Sequence, residues 1–312
     1  MINKDHPLFG LESRVVDILD SCGPMTGNDL SLKMDGASPI NLWRVCYESN
    51  LFRVINCARY YLRYDILREN QLRLSPSILR DFLTFSLIFQ PHQRTQALES
   101  SALLANKHRI ISRQKIRIAR QAILSIDEET RKTLSENACF FISGDVAYFL
   151  GHAVPRIHPE YETKINGSDV DILIIYNNHV DQDLIDRAEK QMLKFKAVAL
   201  RDPQIGEEMD FLFKPMAKMF QQLAYRTIHE KIASKILYES FYLFGRMDLY
   251  ERLLFELEVT GTKKKIENDF EIALTERKET IRKIFELSSE GAIEFDDEIQ
   301  SLFFFSQERL EF

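Results

Sequence analysis

Residues 166–175 read Asn166-Gly167-Ser168-Asp169-Val170-Asp171-Ile172-Leu173-Ile174-Ile175, and this run constrains the fold more than any other. Its dense β-branched apolar half reads as a buried strand, entered through two aspartates two residues apart. Alternate residues of a strand share a face, so Asp169 and Asp171 point one way while Val170 and Ile172 point into the core. Two neighbouring carboxylates repel one another unless a cation lies between them. Hard oxygen ligands in such a pair suit Mg²⁺, which binds one or two carboxylates together with substrate phosphates. The run therefore points to metal-assisted phosphoryl or nucleotidyl chemistry.

The flanking segments extend this pattern. Cys139–Gly151 reads as a buried strand, a tight turn at Ser143-Gly144 and a helix from about Val146. A small-residue turn opening a helix offers backbone N–H groups to phosphate oxygens. Downstream, Gly206–Phe213 is a short alternating strand whose site-facing carboxylate is Asp210 if Met209 and Phe211 pack inward. Helical periodicity over Gln182–Lys196 separates the two acidic strands. The order strand–helix, Asp-x-Asp strand, helix, Asp strand would gather three carboxylates around two cations.

On these residues the chain resembles the polymerase-β-like nucleotidyltransferase superfamily over about residues 138–214, most specifically in Gly-Ser-Asp-Val-Asp-Ile-Leu-Ile. It departs from the family pattern twice. Asp145 follows Ser143-Gly144 where a second Gly or a Ser/Thr is usual. The 25 positions from Gly144 to Asp169 exceed the usual separation, with residues 151–167 inserted. Two later segments, Ile228–Ile236 and Gly245–Tyr250, resemble the C-terminal helices of abortive-infection-type (AbiEii-like) nucleotidyltransferase toxins.

The resemblance implies that Asp169 and Asp171 hold two Mg²⁺ ions and that Asp210 binds one of them. It implies further that Ser143, Gly144, Ser168 and Lys235 serve the NTP phosphates. Asp248 takes the place of a second-motif aspartate. Ser234 stands where the family often has Glu, so Lys231, one turn before Lys235, is the alternative lysine. The implied reaction moves an NMP from an NTP to an acceptor hydroxyl, with a tRNA 3′ end as acceptor in a toxin or phage-defence role. A protein side chain or a free nucleotide would use the same site. An antitoxin or other partner protein belongs to such a system. Each signal also has a plainer reading: an Asp-x-Asp as a turn, Lys235 as a surface lysine, Asp248 as a helix cap. Their joint occurrence in family order favours the transferase.

The rest of the chain suggests an α+β protein with four parts. Residues 1–66 resemble a winged helix-turn-helix, with helices around Leu11–Leu19, Met25–Leu30 and Pro39–Cys46. Leu51–Asn56 and Arg59–Tyr64 would form its wing. Its third helix would carry Arg44 and Asn41 to nucleic acid. Residues 67–137 read as a mostly helical linker, 138–214 as the small mixed-sheet transferase core and 215–312 as a helical C-terminal region. In the linker, Arg109, Arg113, Lys115, Arg117 and Arg120 would spread over one surface while Ile110, Ile111 and Ile118 pack inward. That helix is either a solvated connector or an electrostatic platform for tRNA or DNA. Leu302–Phe305 reads as core or as a partner surface, and His152 and His158 as solvent or packing residues.

Charge is uneven: residues 1–135 carry 19 Lys/Arg against 14 Asp/Glu, whereas 136–312 carry 22 against 33, within a net −6. A basic half beside an acidic half is consistent with a nucleic-acid partner. It also keeps open a winged-helix DNA-binding regulator with a degenerate transferase domain. Four scattered cysteines form no C-x-x-C pair, which argues against structural zinc and disulfides. No stretch approaches the roughly 18 apolar residues of a membrane span. Met1–Pro7 has no apolar segment of a signal peptide, so a cytoplasmic location without membrane association is expected.

Overall fold

The computed structural model describes residues 8–65, 71–157, 164–202, 204–288 and 303–304; His158, Leu302 and Phe305 lie outside them. The chain is mixed α and β. Among the described residues no helix is long and apolar enough to cross a membrane. Two compact units form: Met1–Tyr61, Arg73–Lys107 and Ile272–Phe312 contribute to one, Leu62–Leu72 and His108–Glu271 to the other.

The first unit begins with α1 (Phe9–Cys22), β1 (Met25–Thr26), α2 (Gly27–Lys33) and α3 (Pro39–Glu48). The Thr26 hydroxyl caps α2 by accepting from the Asp29 N–H, and Pro39 occupies the first turn of α3. The expected wing does not form. β2 (Arg53–Asn56) pairs instead with β5 (Ser86–Phe89), on whose other edge lies β1. β3 (Tyr61–Asp65) pairs with β4 (Gln71–Ser75) in a separate ribbon. Strands β4 and β5 fall where helix was expected. Every residue of Ser86–Phe89 is buried, and a short run buried on both faces has no periodicity to tell strand from helix.

α3 also turns out differently from a reading helix. Arg44 is 0% exposed and lies 3.6 Å from Glu48, so it does not reach outward to nucleic acid. The apolar residues of α3 use nearly its whole circumference. Trp43 stacks on Phe285 at 5.0 Å and meets the edge of Phe303 at 4.9 Å, which makes Phe303 a core residue. The short α4 (Ile78–Arg80) and a π-helical turn at Asp81–Phe85 precede β5. A 3₁₀ turn at Pro91–Gln93 then leads into α5 (Arg94–Leu124).

The second unit is built on a four-stranded sheet. In chain order come α6 (Glu128–Asn137), β6 (Ala138–Ser143), α7 (Gly144–Ala147), β7 (Pro155–Ile157), β8 (Lys164–Asn166), β9 (Val170–Tyr176), α8 (Gln182–Arg201) and β10 (Met209–Pro215). After them follow α9 (Met216–Gln222), α10 (Ile228–Glu239), β11 (Phe241–Gly245), α11 (Met247–Val259) and α12 (Thr262–Ser288). The sheet order is β10-β9-β6-β11, with β10 parallel to β9 and the other pairs antiparallel; β7 and β8 form a small ribbon.

Phe140, Ile142, Ile172 and Ile174 on one sheet face pack with Ala119, Ala122 and Ile123 of α5 and with Ile185, Ala188 and Met192 of α8. The α5 segment therefore belongs to the sheet's core instead of a linker. Two residues on it exchange their expected places: Lys115 is 1% exposed and Ile110 is 46% exposed. On the other face, Phe141 meets Tyr250 of α11 at 5.6 Å.

Candidate functional site

Strand register builds the centre of the site. Asp171 on β9 is the direct neighbour of Ser143 on β6 and of Asp210 on β10. Residues opposite one another in a ladder share a face, so three adjacent strands present these side chains in one row. Asp169, two positions before Asp171, completes the cluster. One carboxylate oxygen from each of Asp169, Asp171 and Asp210 lies within 4.8 Å of the others. Gly144 closes one side with φ +68°; a Cβ there would stand 2.7 Å from Asp171 Oδ2.

Electrostatics follow from this crowding. Burial pushes the Asp171 carboxyl well above the usual carboxylate range, the charges of Asp169, Asp210 and Asp145 push it further, and Lys235 pulls it back. Lys235 on α10 is ion-paired to Glu239 at 2.7 Å, and the Leu62 N–H donates to Glu239 Oε1 at 3.1 Å. Burial raises the Glu239 carboxyl to about 7, against the opposing pull of Lys235. A buried acid whose folded pKa exceeds its unfolded value stabilises the fold below the unfolded value. That contribution is lost as pH rises through the folded value. Relative to Glu239→Gln, the protein is therefore expected to lose about 3 kcal/mol of unfolding free energy between roughly pH 4.5 and 7. Parallel denaturant titrations of the two proteins across that window measure the difference.

The loops that carry the aspartates are laced together and tied to α5. Ser168 Oγ donates to Asp145 Oδ2 at 3.0 Å and accepts from the His152 N–H at 3.2 Å. Gly167, at φ +56°, has room for no side chain, because a Cβ would lie 1.9 Å from the His152 carbonyl oxygen. The Asn166 N–H donates to the Gly206 carbonyl, and the Val170 N–H to that of Glu208. Lys115 Nζ donates to the Asn166 carbonyl at 2.8 Å and is ion-paired with buried Glu207. It thus ties the approach to Asp169 to the approach to Asp210. One helical turn away, Ser112 Oγ accepts from the Gly151 N–H, and His108 Nδ1 lies 3.0 Å from the Gly151 carbonyl oxygen. On the open side, Lys196 of α8 donates to Asp210 at 2.6 Å.

Asp169, Asp171, Asp210, Ser143 and Gly144 are thus brought together, with the Lys235 charge acting on Asp171. Ser168 adjoins Asp169 but gives its hydroxyl proton to Asp145. Two expected members stand elsewhere. Lys231 pairs with Asp269 at 3.3 Å and lies over the rings of Tyr64 and Tyr225, whose hydroxyls also bond Asp269. Asp248 bonds Arg246, whose N–H donates to the Ala138 carbonyl. Ala138 begins β6 and Ser143 ends it, about 17 Å apart at the rise of a strand. Motif order along the chain does not say at which end of a strand a residue arrives.

Glu207, Lys196 and Glu239 were not singled out from the sequence, and Lys115 was read as part of an outward cationic surface instead of a buried ion pair. A usable signal exists for Lys115: His108, Ser112, Lys115, Ala119 and Ala122 recur at steps of four and three, which marks one helix face. No comparable signal marks the others. Comparison with known proteins finds no match: no family model, curated protein or solved structure aligns significantly with the chain.

Proposed function

We propose that the second unit is a Mg²⁺-dependent nucleotidyltransferase that moves an NMP from an NTP to an acceptor hydroxyl, an RNA 3′ end being the acceptor that fits best. The observation that carries this reading is the in-register cluster of Asp169, Asp171 and Asp210 beside Gly144. The donor set fits the ion. All three donors are hard carboxylate oxygens, and they crowd closely enough that Asp171 is held toward its protonated form until positive charge arrives. Bound there, Mg²⁺ would polarise the phosphoryl oxygens and ease deprotonation of the attacking hydroxyl.

The chain's own groups account for the remaining roles. Asp210, the most exposed carboxylate of the three, would take the proton of the acceptor hydroxyl. Lys235 supplies fixed positive charge against the leaving pyrophosphate, and Glu239 holds its ammonium in place. The missing side chain of Gly144 leaves the approach to Asp171 open. Gly144→Ala is accordingly expected to displace the Asp171 carboxylate. It should lower transfer at least about 100-fold while costing only about 1–3 kcal/mol of stability through backbone strain. Activity and denaturant midpoints of one preparation check both parts.

Buried Arg44 gives no support to the DNA-binding regulator. The toxin role rests on the resemblance of Ile228–Tyr250 alone. The deciding experiment incubates the protein with Mg²⁺, each α-³²P-labelled NTP and total tRNA, beside an Asp169→Ala/Asp171→Ala control. Label on RNA that depends on the aspartates supports the reading; label on a protein band moves the acceptor to a side chain. Silence with every acceptor overturns it.

A further inference from the structure

On α5, the face opposite the one that holds the aspartate loops is a ladder of arginines. At about 100° per residue, Arg109, Arg113, Arg117 and Arg120 fall within an arc of about 80° and climb about 16 Å along the axis. All four are exposed, and none has a carboxylate partner among the described residues. No Asp or Glu occurs between Glu99 and Asp127, although the whole chain carries a net charge of −6. Four such arginines thus share one stripe of a helix stretch that has no acidic residue, on a protein of net negative charge. The inward face of the same helix carries His108, Ser112 and Lys115, which bind the segments around Gly151, Asn166 and Glu207. A ligand held by the ladder is thus held by the element that positions the carboxylates.

We propose that this ladder is the docking surface for the phosphate backbone of an RNA strand. Guanidinium groups match phosphate oxygens bidentately, and four of them in line suit a few successive phosphates of one strand. Such contacts position a strand without reading its sequence. The choice of RNA as occupant rests on the transferase reading, which requires a strand end as acceptor.

The test is fluorescence anisotropy of the full-length protein with a 5′-fluorescein-labelled single-stranded RNA, without NTP, over a series of salt concentrations. Arg113→Gln/Arg117→Gln is expected to weaken binding about tenfold or more. It should also flatten the slope of log affinity against log salt by about 1.4, the loss of two phosphate contacts on a single strand. Exposed substitutions of this kind leave the melting temperature unchanged. The charge-matched control Lys190→Gln/Lys194→Gln, on exposed positions of α8, should bind like the wild type.

Absence of RNA binding, unchanged affinity in the arginine variant, or equal loss in the control overturns the proposal. Polyglutamate binding as tightly, with the same dependence on Arg113 and Arg117, also overturns it and assigns the stripe to an acidic protein segment. Active transfer without arginine-dependent RNA binding defeats the ladder and leaves the transferase. Arginine-dependent binding without transfer to any acceptor does the reverse.

Discussion

Asp171→Asn is expected to give a protein that melts at a higher temperature without metal and transfers nucleotide at least about a thousandfold more slowly. Both effects have one cause. Without metal, burial and the charges of Asp169, Asp210 and Asp145 all disfavour the Asp171 carboxylate, and Lys235 offsets part of that cost. Asparagine keeps the shape and removes the charge, so the fold is relieved of an unfavourable term. The same charge is what a divalent cation would bind. Mg²⁺ or Mn²⁺ should therefore raise the melting temperature of the wild type and leave that of Asp171→Asn unmoved. Calorimetry with and without the ion separates the possibilities. A variant that melts lower, or that keeps its metal response, would remove Asp171 from the centre of the site.

Lys115→Met is expected to cost about 3–5 kcal/mol of stability, the penalty for leaving a buried charge without its partner. Lys115 is 1% exposed, ion-paired with Glu207 and bonded to the Asn166 carbonyl. Truncating it removes the ion-pair partner of buried Glu207 and one hydrogen bond to the segment that leads into β9. The double variant Lys115→Met/Glu207→Gln should recover much of the loss, because both charges then leave together. Chemical denaturation of the two single variants and the double variant gives the coupling directly, and additive losses would show that the pair acts as two independent residues. Weaker metal stabilisation in Lys115→Met than in the wild type would further show that this pair sets the carboxylate spacing.

The aspartate cluster was legible because its logic is local. The alternation Asp169-Val170-Asp171-Ile172 puts both acids on one face of a strand that Val170 and Ile172 bury, and Asp210 alternates with buried Met209 in the same way. Period-two patterning is a property of the backbone, so it survives any tertiary arrangement.

Everything that depended on which segment meets which was decided in three dimensions. Packing of α5 on the sheet turned Lys115 inward and Ile110 outward, since that face had to meet both an apolar core and the polar loops at Asn166 and Gly151. Pairing of β2 with the fully buried β5 displaced the wing, and the apolar surroundings of α3 took Arg44 out of reach of any ligand. The direction of β6 carried Asp248 to the strand end opposite Ser143, and the Tyr64–Tyr225–Asp269 cluster engaged Lys231. The sequence by itself determined the face on which each acid stands, because one strand sets that. Only the tertiary structure decided which acids and lysines meet, because partners far apart in the chain are chosen by burial and strand register.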